Sequence, residues 1–191
     1  MRELILASKS KARKEILENL GFKVKVFPSH IRERREIKTS CAVMVMANAL
    51  DKAKDVATKF NHGVIVASDT VVLDGKQTFG KPVNIKEARQ MLRRFSKRPH
   101  LVYSGIAVID ILTGKTIVSW EKTKIYLEKL SDAEINAYFL HVKPYNLAGG
   151  FDIQGKGALF IKRIEGDYYN VVGLPVYKLG KMLKKIGVNI V

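Results

Sequence analysis

Two unbroken apolar runs, each ending at a serine, constrain this chain most. Leu4-Ile5-Leu6-Ala7 leads into Ser8-Lys9-Ser10, and Val64-Ile65-Val66-Ala67 leads into Ser68-Asp69-Thr70. A strand apolar at every position, not every second one, has both faces covered, as in parallel strands packed between helices. The first run is followed by Ile16, Leu17 and Leu20 at helical spacing, stopped by Gly21. That sequence reads as strand, polar turn, helix.

Further elements follow the same logic. Phe22 to Phe27 alternates apolar residues with lysine and predicts a second strand, ended by Pro28; the charged stretch Ile31 to Glu36 predicts an exposed loop. Ser40 to Phe60 carries Met46, Ala49, Leu50, Ala53, Val56 and Ala57 as a helical stripe. The strand beginning at Val64 is expected to stop at Ser68-Asp69-Thr70, with Val71 to Leu73 beyond and a hairpin at Asp74-Gly75. Asn84 with Glu87, and Ser131 with Glu134, have capping-box spacing and predict helices over 84–97 and 131–140. Leu101 to Leu112 and Lys115 to Leu127 flank Thr113-Gly114 as a hairpin of long strands; Ala158 to Ile164 predicts a strand, and Pro175 to Ile186 a last helix. The expected class is α/β, with a long mixed sheet flanked by helices. At 191 residues, 47% of them apolar, the chain reads as one domain, 1–191, with room for two lobes around one cleft.

Composition removes several functions. The longest apolar stretches, such as Cys41 to Ala47, fall far short of the roughly 20 residues of a membrane-spanning helix, and Met1-Arg2-Glu3-Leu4 lacks a signal-peptide core. A soluble, cytoplasmic protein without a membrane partner is expected. Cys41 is the only cysteine, which excludes an internal disulfide or a cysteine zinc cluster, and the four histidines lack ligand spacing. The net charge of +16 attracts phosphates of any kind, and most of it lies in residues 1–100, with 22 basic and 10 acidic side chains. Nucleic acid is disfavoured as the main partner, because aromatics are only 8% and do not interleave with the basic runs at Arg93-Arg94, Lys97-Arg98 and Lys178 to Lys185.

The candidate chemistry gathers at the two apolar runs. Lys9, Lys11, Arg13 and Lys14 crowd the positive end of the first helix, so a negative partner is expected there; with Ser8 and Ser10 they form a possible phosphate cradle, or the lysines are solvated and a serine is an ordinary cap. Asp69, after the second run, would face the same crevice if the two strands are parallel, and could hold a metal or take a proton from water; it also fits a turn or cap residue. Glu33, amid Arg32, Arg34, Arg35 and Lys38, fits a surface salt bridge equally. Gly150 to Lys156 has the spacing of a nucleotide phosphate loop, but Gly157 replaces the required Ser or Thr, and the residues after it read as a strand where a helix is needed.

Taken in order, these blocks resemble the Maf family of nucleotide pyrophosphatases, whose fold is that of the house-cleaning inosine-triphosphate pyrophosphatases (Ham1-like). The resemblance rests on Ile5-Leu6-Ala7-Ser8-x-Ser10-x-x-Arg13, Glu33, Ala49-x-x-Lys52-Ala53, Ser68-Asp69-Thr70-Val71-Val72 and Gly80-Lys81-Pro82. It continues through His100-x-Val102-Tyr103-Ser104-Gly105, Ala148 to Gly157, and Asn170-Val171-Val172-Gly173-Leu174-Pro175. It implies hydrolysis of a nucleoside triphosphate between the α and β phosphates to a monophosphate and pyrophosphate, with Mg²⁺ or Mn²⁺. Under it, Asp69 is the catalytic base or metal-linked acid and Glu33 the second acid on the cation; Lys52 and Lys81, with Ser8 and Arg13, grip the phosphates. Thr70 and Gln154 resemble the subgroup acting on dTTP, UTP and related pyrimidine nucleotides, and an amide can both donate to and accept from a uracil edge. The resemblance further implies a homodimer and a historical link with septum formation; a cell-division regulator or a basic nucleic-acid-binding protein is the alternative. The chain departs from the family pattern at Ala12, Arg32 and Gly150.

Overall fold

In the computed structural model, residues 3–189 are described. The strands are β1 (Leu4–Leu6), β2 (Val24–Val26), β3 (Val64–Asp74), β4 (Gln77–Phe79), β5 (His100–Asp110), β6 (Thr116–Leu127) and β7 (Ile161–Glu165). The helices are α1 (Lys11–Asn19), α2 (Cys41–Ala57), α3 (Ile85–Phe95), α4 (Asp132–His141), α5 (Tyr168–Val172) and α6 (Val176–Lys185). The sheet order is β2-β1-β3-β5-β6-β7, with β4 paired to β3. β1 pairs in parallel with both β2 and β3, whereas β3–β4 and β6–β7 are antiparallel, so the sheet is mixed as expected.

The chain divides into two compact units. The first comprises the described residues up to Asp69, Ser104–Glu121, and those from Gly173 onward; the second comprises Thr70–Tyr103 and Lys122–Val172.

In the first unit, β1 and the start of β3 are fully buried, Leu4 to Leu6 and Val64 to Ala67 all at 0% exposure. Ala49, Ala53 and Val56 of α2 pack against Ile5, Ala7, Ile65, Ala67, Ala107 and Ile109. Small residues on the helix let its axis approach the sheet closely, and Gly105 on β5 takes this furthest. A Cβ at Gly105 would lie 2.1 Å from the backbone oxygen of Val45, so only glycine admits the helix there. That contact fixes the helix turn from which Asn48 and Lys52 project.

In the second unit, Ala88, Met91, Leu92 and Phe95 of α3 join Val72, Val102, Ile125, Leu127, Ile135, Tyr138 and Phe151 in one core. Asp152 organises the glycine-rich segment: its carboxylate accepts from the Gly157 N–H at 2.9 Å, and a Cβ at Gly157 would fall 2.0 Å from the Asp152 carbonyl oxygen. The Ser131–Glu134 capping box on α4 forms with both of its hydrogen bonds.

Three expectations are corrected. β3 does not stop at Ser68-Asp69-Thr70 but runs through them to Asp74, because the polar side chains of Ser68 and Asp69 find buried partners and the β-branched Thr70, Val71 and Val72 extend the strand. Ala158 to Phe160, expected to open the strand, lie in a short 3₁₀ turn over Lys156–Phe160, and the strand begins at Ile161; the phosphate-loop reading still fails, because Gly157 stands where the hydroxyl belongs and the next element is β7, not an α-helix. At Asn84 the side chain caps the Glu87 N–H, but Glu87 returns to the N–H of Val83 instead of closing the box. Of the two readings of the start of α1, Ser10 takes the place of the helix cap, and Lys11 and Lys14 pair within the helix with Glu15 (3.4 Å) and Glu18 (3.3 Å).

Candidate active site

Five of the eight residues singled out from the sequence lie in the first unit: Ser8 in the β1–α1 turn, Arg13 on α1, Glu33 in the irregular 31–36 stretch, Lys52 on α2 and Asp69 on β3. The structure brings the last three into direct contact. Lys52 Nζ lies 2.6 Å from Glu33 Oε1 and 2.6 Å from Asp69 Oδ1, so these carboxylate oxygens are separated by no more than twice that distance. Asp69 is 4% exposed and Lys52 8%, whereas the Glu33 side chain is 41% exposed. One ammonium thus serves two acids from a point between them, one buried and one open to water.

Electrostatics keep Glu33 ionised. Burial by itself would raise its carboxyl, but the Lys52 ammonium, by charge and hydrogen bond, and then Arg35 and Arg13 hold it below the usual glutamate range. Cys41 on α2 is buried, and burial followed by the Asp69 charge pushes its thiol up to about 12, so it stays a protonated, inert hydrophobe.

Arg13 is 9% exposed and ties together the backbone beside Asp69. Its Nε donates to the Gly173 carbonyl at 2.8 Å, and its Nη1 to the Ser8 hydroxyl at 3.1 Å and the Ser68 carbonyl at 2.9 Å. Burial pushes the guanidinium down, while Asp69 and Glu33 pull it up. Ser8 also accepts from the Ser10 N–H at 3.2 Å, and Ser68 donates to the Gly173 carbonyl at 2.8 Å. Glu33 also lines a cavity of about 910 Å³ walled by Arg32, Arg34, Arg35 and Lys38 over an apolar floor of Ile31, Val43, Met44 and Ala47.

Sequence reasoning missed Asn48. It is completely buried, donates to Asp69 Oδ2 at 2.8 Å, and exchanges two hydrogen bonds with the backbone of Arg34. A polar residue on the buried stripe of an otherwise Ala-, Val- and Met-rich helix was the signal available.

Residues 3–186 match the family described as Maf-like protein. The chain belongs to that family. It is 43% identical over 184 residues to a dTTP/UTP pyrophosphatase of Alkaliphilus oremlandii, covering 96% of both chains. With a dTTP/UTP pyrophosphatase of Methanosarcina barkeri it shares 40% identity across all of this chain and 97% of the relative. A solved HAM1 protein from Coxiella burnetii superposes with a TM-score of 0.55 at 14% identity, over 97% of this chain and 100% of that one, which places the fold among the Ham1-like α/β architectures.

In this Maf-like protein the other three residues belong to the second unit. Thr70 is the next residue of β3, Lys81 is exposed in the Gly80-Lys81-Pro82 turn, and Gln154 is exposed in the segment organised by Asp152. The Lys81 turn is tied by the Gly149 N–H donating to the Gly80 carbonyl at 2.9 Å. Gly149 and Gly150 both adopt positive φ, +73° and +77°, a conformation glycine takes without strain.

Several members of the basic runs suspected of binding nucleic acid are paired with acids of their own unit. Arg93 pairs with Asp132 at 2.7 Å, Arg94 and Arg98 both grip Asp74, and Lys178 reaches Glu121 at 3.3 Å. Among the described residues, no helix is long and apolar enough to cross a membrane.

Proposed function

We propose that the protein hydrolyses nucleoside triphosphates, dTTP and UTP foremost, to the nucleoside monophosphate and pyrophosphate. The observation that carries this reading is the Lys52 ammonium held 2.6 Å from both Glu33 and Asp69. Family membership and relatives named dTTP/UTP pyrophosphatase support the substrate class.

A divalent cation fits this arrangement. Among the described residues no three His, Cys, Asp or Glu side chains converge on a point, so an all-protein cage is absent. Two carboxylates flanking a positive charge suit Mg²⁺ or Mn²⁺, which take hard oxygen ligands and keep sites for water and phosphate oxygens. Glu33 and Asp69 would hold the ion, and when bound it would supply charge neutralisation at the phosphate oxygens.

The chain's own groups account for the rest. Water attacks the α phosphorus, the bond from that phosphorus to the α–β bridging oxygen breaks, and pyrophosphate leaves with the bonding pair. Asp69, with one oxygen on Lys52 and the other on Asn48, is oriented to take the proton that water loses. Lys52 and Lys81 offset charge on the non-bridging oxygens, which would otherwise repel the nucleophile. Ser8 and Arg13 complete the phosphate grip, Arg13 mainly by fixing Ser8 and Ser68. Gln154 and Thr70 read the pyrimidine. The net charge of +16 raises the local concentration of anionic nucleotide and speeds its encounter. By the same resemblance we take the enzyme to be a cytoplasmic homodimer that clears surplus or noncanonical nucleotides, a role through which a link to septum formation could act.

The test is a panel of nucleoside triphosphates assayed for pyrophosphate with Mg²⁺ or Mn²⁺. Pyrophosphate release highest with dTTP and UTP is expected, and Gln154→Glu should change which base is accepted. Release of orthophosphate only, or salt-sensitive DNA binding without hydrolysis, would reject the reading.

A further inference from the structure

Glu33 sits in a stretch of chain without helix or strand, and its side chain is 41% exposed. Such a residue needs something to hold it opposite Asp69, and Lys52, with a long flexible stem, fixes distance poorly. Asn48 supplies the missing constraint. Its Oδ1 accepts from the Arg34 N–H at 2.9 Å, and its Nδ2 donates to the Arg34 carbonyl at 2.9 Å and to Asp69 Oδ2 at 2.8 Å. Both amide hydrogens are thereby used, and the reverse orientation would set oxygen against oxygen at Asp69 and at the Arg34 carbonyl. The amide clamps the two peptide groups flanking Arg34, the residue after Glu33, while turning the Asp69 carboxylate. Arg34 adds an outer tie, its Nη1 lying 2.5 Å from Asp51, three residues after Asn48 on α2.

We infer that Asn48 is a positioning residue that sets Glu33 against Asp69, so that the two acids meet a divalent cation as a preformed pair. The inference rests on the proposed reading of Glu33 and Asp69 as a cation-binding pair. Hydrogen-bonded groups that orient ligands typically contribute 10- to 100-fold in metal affinity or activity.

Asn48→Leu keeps the volume and removes all three hydrogen bonds; Asn48→Ala removes the same amide without bulk, should leucine fail to fold. Mn²⁺ alone is titrated into the folded proteins by calorimetry, and amide exchange is followed at Arg34. The variant is expected to bind Mn²⁺ roughly 10- to 100-fold more weakly, to lose protection at the Arg34 N–H, and to recover most of its pyrophosphate release at saturating Mn²⁺. A lower unfolding midpoint with Mn²⁺ affinity intact would mean a structural role only and overturns the inference, as does weaker Mn²⁺ binding with Arg34 still protected. Wild-type protein that neither binds Mn²⁺ nor releases pyrophosphate would instead reject the underlying reading, and this inference with it.

Discussion

Asp69 and Asp74 lie on the same strand, β3, at 4% and 3% exposure, yet the charges around them are shared differently. Asp74 is gripped by two guanidiniums, Arg94 and Arg98, which hold its carboxyl below the usual range against the effect of burial. The direct partners outnumber the acid, so the cluster is complete and structural. Asp69 shares the Lys52 ammonium with Glu33, so one ammonium serves two acids, and the Arg13 charge acts on both of them. Asp69 shares its ammonium with a second acid, whereas Asp74 has two guanidiniums to itself. That difference, not burial, is what favours Asp69 over Asp74 for the proposed catalytic role.

The comparison can be broken most forcefully at Lys52. Lys52→Met leaves Asp69 buried beside Glu33 without its ammonium, and such broken buried pairs cost about 3–5 kcal/mol. Chemical denaturation should show that loss, and pyrophosphate release should fall at least ~100-fold. Next, Asp69→Asn should lower kcat by at least ~100-fold, equivalent to about 2.7 kcal/mol of barrier; an unaffected rate would remove its assigned role. Asp74→Asn makes the same chemical change in the other cluster. It should cost only about 1–2 kcal/mol of stability, its arginines being partly solvated, and leave kcat essentially unchanged. A large kcat loss there would erase the distinction.

The smallest effect is set by His100, near Asp74. It is 1% exposed and stacked on Phe95 at 4.5 Å. Burial pushes it down to about 4 from the ordinary 6.5, with Asp74 opposing. The unfolded chain therefore binds the proton first. Its contribution is intact above pH 6.5 and is lost as pH falls toward 4. Stability should drop by about 1 kcal/mol between roughly pH 7 and 5.5, and His100→Phe should remove that slope.

What could be read from the sequence follows from locality. Leu4–Ala7 and Val64–Ala67 announce themselves as strands because every position is apolar, and the Ser131–Glu134 box closes within one helical turn. The extent of β3 was hidden because Ser68 and Asp69 look like a turn until Gly173, Lys52 and Asn48 arrive from elsewhere in the chain to satisfy them. The 3₁₀ turn at 156–160 was hidden likewise, since it depends on Asp152 meeting the Gly157 N–H. Glu33, Lys52 and Asp69 were named through a family pattern, which records such distant meetings; Asn48 lay outside the quoted blocks and carries no local chemistry of its own.

The central claim is that Glu33 and Asp69 hold one cation together. Anomalous diffraction from crystals soaked in Mn²⁺ with a non-hydrolysable UTP analogue measures this directly. The account predicts a manganese peak within coordination distance of both carboxylates, with Lys52 Nζ drawn off one of them. A peak that touches neither acid, with Lys52 still bridging the pair, would contradict it.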